Sequence, residues 1–231
     1  DYAKFYQSSQ NAQRLMDDIV DLELESIDKI IAKVKADPEP LHIKTTELDT
    51  WKQIKAAATN GRRTGLGITG LADTLAMLGI KYGSEESIKA TGKIYRTLAK
   101  GSYRASVDMA EERGPFPVFD LKKEKAHPFL DRIFDQDEDL AKKYRKYGRR
   151  NIANLTTAPV GSLSTLTQTT SGIEPAIFLS YKRRRKVNGT EAHDFVDAQG
   201  DCWQEYIVNH HGLDWWMDIT KETDIKKSPY Y

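Results

Sequence analysis

The strongest constraint on the fold is the spacing of apolar residues between Phe5 and Val34. Ala12, Leu15, Met16, Ile19, Val20, Ile27, Ile30, Ile31 and Val34 recur at helical intervals. Asp17, Asp18, Asp21, Glu25 and Lys33 fall on the other face. One long amphipathic helix is therefore expected, ended by Pro38 and Pro40, which cannot continue it. A second helix is expected over about Glu47 to Ala58, stopped by Asn60-Gly61 in a left-handed conformation.

Strand-like and helical segments then alternate. Arg62 to Asp73 begins extended and turns helical through Leu75, Met77 and Leu78. Ser84 followed by Glu85 and Glu86 is an N-cap with acids in the first turn, and that helix is expected to reach about Glu112. Gly114-Pro115 ends it. The charge-rich stretch from Asp120 to Lys146 is expected to be a solvated helical excursion. Ile152 to Thr157 has the composition of a buried strand, and a further strand is expected at Ala176 to Tyr181. Trp203, Tyr206, Ile207 and Val208, followed by Trp215-Trp216-Met217, suggest a last helix. The alternation argues for α/β architecture. No repeat or low-complexity linker marks a boundary, so residues 1–231 are taken as one partial domain.

Composition narrows the function classes. Apolar residues make up 39% and charged residues 30% of the chain, which fits a globular protein. No run approaches the ~20 apolar residues of a bilayer span, and Asp1 to Val20 has no signal-peptide core, so a cytoplasmic protein without membrane partners is expected. A net charge of +1 gives no field that would draw the whole chain to nucleic acid. The one cysteine, Cys202, excludes an internal disulfide and a cysteine-built zinc site.

Several segments carry possible chemistry. Pro159-Val160-Gly161-Ser162-Leu163-Ser164 follows the expected strand at Ile152 to Thr157. Its glycine, amides and hydroxyls at a helix start would suit a phosphate. An ordinary strand-to-helix turn with hydroxyl caps accounts for the same residues. Gly65, Gly67 and Gly70 match G-x-G-x-x-G, with Glu85 and Glu86 at a suitable distance for a ribose contact. The segment before them leaves little room for the strand that fingerprint needs, and close packing explains the glycines equally well. Lys182 to Lys186 is a basic run that could meet phosphates or pair with carboxylates of the same chain. His193, His210 and His211 lie near Asp194, Asp197 and Asp201, but adjacent histidines point to different faces and chelate poorly, so no metal site is assigned. Glu174 stands in an uncharged stretch and invites an ion pair with Arg62 or Arg63. Cys202 is read as a half-buried small residue before Trp203.

Three ordered motifs carry a family resemblance: Arg62-Arg63-Thr64-Gly65-Leu66-Gly67-Ile68-Thr69-Gly70-Leu71-Ala72-Asp73, then Ala158 to Ser164, then Ser171-Gly172-Ile173-Glu174-Pro175. With Trp203-Gln204-Glu205 and Thr223 to Tyr230, they resemble the ribonucleotide reductase large subunit over nearly the whole chain. The resemblance implies part of a ten-stranded α/β barrel. It also implies an enzyme that reduces ribonucleotides through a thiyl radical, with a cysteine pair supplying electrons. Carried over by motif, Pro159, Val160, Gly161, Ser162, Leu163 and Ser164 become the substrate-phosphate loop. Leu166 to Pro175 is most similar to the adenosylcobalamin-dependent class, with a metal-containing radical subunit as the rival.

The departures define the rest of the expectation. The family's asparagine–x–cysteine–x–glutamate motif is absent. Cys202 stands where the family usually has a basic residue, and Val160 where many members have threonine. No catalytic residue is therefore assigned. The chain is expected to be a fragment that works beside an amino-terminal partner carrying the radical cysteine, oligomeric when complete. A non-catalytic assembly or regulatory fragment of the same fold, and an unrelated nucleotide-binding domain, remain the alternatives.

Overall fold

Helix α1 occupies Tyr2–Ala36, started by the Asp1 carboxylate, which accepts from the amides of Ala3 and Lys4. The computed structural model describes residues 1–125, 127–135 and 137–231. Only the carboxyl half of α1 buries the expected apolar stripe, through Val20, Ile27, Ile31 and Val34. In the amino half the buried face is polar, formed by Ser9, Gln13 and Asp17, while Leu15 is 62% and Ile19 46% exposed. The expected orientation is thus inverted there, because this part of α1 packs on a hydrogen-bonded centre rather than an apolar one. Helix α2 spans Leu41–Gly61, beginning before the expected Glu47. Its left-handed stop is Arg62 at φ 44°, not Gly61. Such a backbone costs a side-chain-bearing residue about 1–2 kcal/mol, and the bonds of the Arg62 guanidinium offset that cost.

The chain forms two compact units, residues 1–67 with 92–156 and residues 68–91 with 157–231. In the first, the apolar core joins α4 (Glu85–Arg113), α5 (Pro128–Phe134) and α6 (Glu138–Tyr147). Tyr103, Val107, Leu130, Ile133, Phe134, Leu140, Ala141 and Tyr144 meet there, with the Phe134 and Tyr144 rings stacked at 4.3 Å. The stretch from Asp120 to Lys146 is therefore core-forming rather than a solvated excursion, apart from Ala126 and Gln136, which lie outside the described residues. Its apolar residues sit one helical turn apart among charges that mostly point outward, with Glu124 turned in towards Arg149 and Tyr144. Ser84 caps α4 as expected, its hydroxyl accepting from Ser87 N at 3.1 Å, and Gly114 at φ 83° follows the helix.

The polar centre of this unit is built around Asp17, which is fully buried. One carboxylate oxygen accepts from Arg62 Nε and from Asn151 Nδ2, both at 2.8 Å, and the other accepts from Arg150 Nε at 3.2 Å. Arg62 also donates to the Asp17 carbonyl at 3.0 Å and to Asp21 at 2.7 Å. Gln13 donates to Thr64 Oγ1 and Asn151 Oδ1 and accepts from Ser102. These bonds fix two extended segments side by side. Thr64 N donates to Ala153 O, Leu66 N to Asn154 O and Thr156 N to Leu66 O, giving a parallel bridge between Leu66 and Leu155. The expected strand at Ile152 to Thr157 is thus a short extended segment held by one bridge, not a long ladder.

The second unit contains α3 (Leu71–Met77), α7 (Gly161–Thr167), an antiparallel sheet and α8 (His211–Thr220), then a 3-10 turn at Ile225–Lys227. The sheet has the order β1-β3-β2, from Ser180–Val187, Phe195–Val196 and Cys202–Asn209. Ser180 lies opposite Asn209 and Val187 opposite Cys202. Trp203 to Val208, expected as helix, is β3; its aromatic and β-branched residues suit a pleated surface. The basic run lies on β1 and meets acids of the same sheet: Lys182 and Arg184 pair with Glu205, and Lys186 with Asp201. The strand expected from Ala176 starts only at Ser180, leaving Ile177 90% exposed. No described helix is long and apolar enough to cross a membrane.

Burial alone would push the Asp17 carboxyl up, but the bonds from Arg62, Asn151 and Arg150 outweigh it and hold the group below its ordinary value. The stabilisation is therefore complete above the ordinary carboxylate value of about 3.9 and is lost as pH falls through the lower folded value. Asp17→Asn should cost about 3–5 kcal/mol in urea unfolding at neutral pH, because the buried Arg62 is left with only the half-exposed Asp21 as a charged partner and Arg150 loses its carboxylate. The difference from the parent should shrink as pH falls below the ordinary carboxylate value of about 3.9. Ile19→Gln, on the exposed face, should stay within about 0.5 kcal/mol.

Candidate functional site

Of the six residues in the expected phosphate loop, Pro159 and Val160 precede α7, and Gly161 to Ser164 form its first turn. Pro159 has no amide hydrogen, Val160 N donates to Ser171 O at 2.8 Å, and Ser164 N donates to Val160 O at 3.0 Å. That leaves the amides of Gly161, Ser162 and Leu163, which have no acceptor among the described residues, and no side chain caps the helix. Gly161 to Leu163 are exposed, and a Cβ added at Gly161 would meet nothing within 4 Å. The Ser162 hydroxyl is free to join these amides. The Ser164 hydroxyl is not, since it donates to Gly161 O at 2.7 Å within the helix. The structure thus brings together three amides and one hydroxyl, fewer groups than the motif suggested.

Nothing buries α7; it has no buried residue, and Leu166 is 80% exposed. Its position is set by bonds at its two ends. Val160 is tied to Ser171 at the start, and Gly70 N donates to Thr170 O at 3.1 Å at the end. Thr170 is held a second time by Asp73, whose Oδ2 accepts from the Thr170 amide at 2.7 Å and hydroxyl at 3.1 Å. Asp73 Oδ1 faces His210 Nε2 at 3.0 Å, and the His210 ring lies 5.1 Å from the Tyr230 ring. Burial would raise the Asp73 carboxyl, but the His210 and Thr170 bonds outweigh it and hold the group below its ordinary value. A cleft of about 270 Å³ adjoins this cluster, lined by Asp73, Ala76, Pro175, Leu179 and Tyr230 among others.

The glycine-rich segment serves packing. A Cβ at Gly67 would lie 2.8 Å from the Thr156 carbonyl oxygen, and one at Gly65 3.3 Å from the Thr156 side chain. Gly70 is left-handed at φ 66° and caps α3 against Thr169. None of the three opens a cradle. Arg62 is committed to Asp17 and Asp21, so the ion pair expected for Glu174 is not made with it, and Glu174 is exposed. Asp197 accepts from Trp203 Nε1, Asp201 N and Gln199 N, and Asp194 accepts from Glu205 N, so both brace the turn before β3. Cys202 is half-buried at the start of β3, as expected. Sequence reasoning missed the pairing of Asp73 with His210 and Thr170. No local pattern joins residues so far apart; the one local signal is an acid in the first turn of α3, after a left-handed glycine.

The model of the ribonucleotide reductase barrel domain matches residues 1–211. The chain belongs to the ribonucleotide reductase barrel-domain family. It is 34% identical over 132 residues to the vitamin B12-dependent ribonucleoside-diphosphate reductase of Mycobacterium tuberculosis (strain ATCC 25618 / H37Rv), covering 57% of this chain and 16% of that protein. It is 32% identical over 142 residues to the protein of the same description from Thermoplasma acidophilum, covering 61% and 16%. Against ribonucleoside-diphosphate reductase large chain 2 of Saccharomyces cerevisiae it is 28% identical over 169 residues, covering 65% and 19%. The matched part is thus less than a fifth of each of these relatives.

Two glycines of this reductase barrel-domain chain should respond in opposite ways. Gly67→Ala drives a methyl group into the Thr156 carbonyl and should cost about 1–3 kcal/mol in chemical denaturation. Gly161→Ala meets open space and should change stability by less than about 0.5 kcal/mol.

Proposed function

We propose that this chain supplies the substrate-phosphate loop of a ribonucleotide reductase catalytic subunit. The observation that carries this reading is the open start of α7, where three adjacent amides and the Ser162 hydroxyl face solvent without a protein acceptor. Adjacent unpaired amides at a helix start carry partial positive charge and suit a phosphate group. In this reading Gly161, Ser162 and Leu163 donate their amides to the phosphate of a ribonucleotide. Gly161 lets the anion approach, while Pro159 and Val160 shape the entry and Ser164 closes the first turn. The parallel hydrogen bonds between residues 64–66 and 153–156 support the proposal that these segments belong to the strands of a ten-stranded α/β barrel.

The sequence has one cysteine, whereas thiyl-radical reduction with a reducing pair needs three. Cys202 sits half-buried at a strand start. The chain therefore binds and orients substrate, and an amino-terminal part of the catalytic subunit provides the radical and reducing thiols, within an oligomeric enzyme. The names of the Mycobacterium tuberculosis and Thermoplasma acidophilum relatives favour the adenosylcobalamin-dependent class over a metal-containing radical subunit. In that class the cobalamin supplies the radical. Two clefts among the described residues, of about 270 and 370 Å³, lie just below and at the low end of the ~300–1,000 Å³ that drug-sized ligands occupy. Neither fits a corrin, so no step is assigned to residues of this chain through the cofactor.

The test is reconstitution. Ribonucleotide reduction should require both this chain and the amino-terminal part, and turnover by the chain alone would refute the division of labour. In the reconstituted enzyme, Gly161→Val should weaken substrate binding by about 1–3 kcal/mol, since its side chain occupies the space of the phosphate. The unfolding midpoint should be unchanged. Unaltered substrate KM would remove the loop from the site.

A further inference from the structure

We propose that Asp73 is a positioning residue that holds the phosphate loop in its binding conformation through Thr170, with His210 fixing the carboxylate. This rests on the assignment of Pro159 to Ser164 as the phosphate loop. A helix of seven residues with no buried side chain has almost no packing to orient it. Its amides stay aimed in one direction only if both ends are tied. The start is tied by one backbone bond, Val160 N to Ser171 O at 2.8 Å. The end is tied by three bonds on a single residue: Thr170 O accepts from Gly70 N, while the Thr170 amide and hydroxyl both donate to Asp73 Oδ2. Two of the three are charge-assisted, and Asp73 is only 6% exposed, so water competes poorly for them.

The carboxylate is itself held from the other side. His210 Nε2 donates to Asp73 Oδ1 at 3.0 Å, leaving Oδ2 aimed at Thr170. His210 is fixed by its own amide, which donates to Leu179 O at 2.8 Å, and by the Tyr230 ring at 5.1 Å. A line of fixed groups therefore runs from the end of β3 through His210 and Asp73 to the end of α7. Close approach at Gly70 adds to it, since a Cβ there would lie 3.1 Å from the Thr169 side chain. None of these residues needs to touch substrate. Their effect is to keep three amides preorganised for an anion, which an untethered turn would have to order at each binding event.

The experiment uses Asp73→Asn, Thr170→Val and the double variant. Amide hydrogen exchange is measured on the chain, and steady-state kinetics on the reconstituted reductase. Asp73→Asn should speed exchange over residues 164–171 on the order of tenfold while α8 keeps its protection. It should raise substrate KM on the order of tenfold with kcat little changed, and Thr170→Val should do so to a smaller degree. The double variant should be no worse than Asp73→Asn alone, since the hydroxyl bond lost in Thr170→Val ends on the same carboxylate. Should Asp73→Asn fail to fold, Thr170→Val carries the test, because it removes only the hydroxyl half of the clamp. Unchanged exchange in the folded variants would overturn the proposal. So would faster exchange with unchanged KM in an enzyme that Gly161→Val still impairs, and that result would leave the phosphate-loop reading standing. If Gly161→Val leaves KM unchanged, the phosphate-loop reading fails, and the positioning role falls with it.

Discussion

A buried carboxylate, Asp17, organises the first unit. Its two oxygens collect Arg62, Asn151 and Arg150, and Arg62 reaches back to the main chain of α1. A charge taken out of water this completely is tolerable only when every lone pair is used. That requirement fixes three pieces of chain at once: the amino half of α1, the segment after α2 and the segment from Arg149 to Asn154. It explains why Arg62 accepts a left-handed backbone, and why Leu15 and Ile19 are turned outward. The parallel bridge between Leu66 and Leu155 follows from this alignment.

The second unit uses the opposite economy. α7 is short and uncovered, so what matters is where it is tied rather than what it packs on. An anion site gains from such an arrangement. Amides left without protein acceptors cost little while water reaches them, and they can donate to a phosphate without first breaking an internal bond. The Asp73–Thr170 clamp then limits the motion that an exposed turn would otherwise have.

Much of the helical architecture was legible because it depends on local spacing and caps. The long α1, the Ser84 cap and the stop at Gly114 needed no knowledge of distant partners. Three features were hidden for physical reasons. Asp17 looked like a solvent-facing charge, since its partners Arg62, Arg150 and Asn151 lie far along the chain. The core residues of α5 and α6 were masked by the density of charge around them. Trp203 to Val208 has no strict alternation, and pairing with the basic β1 through Glu205 and Gln204 decided for strand. At the candidate site, a turn running into a helix was readable from residues 159–164, of which only Pro159 and Val160 precede α7. The loss of the Ser164 hydroxyl to Gly161 O, and the clamp on Thr170, required coordinates.

The most direct measurement is amide-resolved NMR of the labelled chain, assembled with the rest of its catalytic subunit and titrated with a ribonucleoside diphosphate. The account predicts saturable downfield shifts at Gly161, Ser162 and Leu163. Val160 and Ser164, whose amides already donate to Ser171 O and Val160 O, should move far less. Shifts confined to other segments, with those three amides unmoved at saturation, would contradict it.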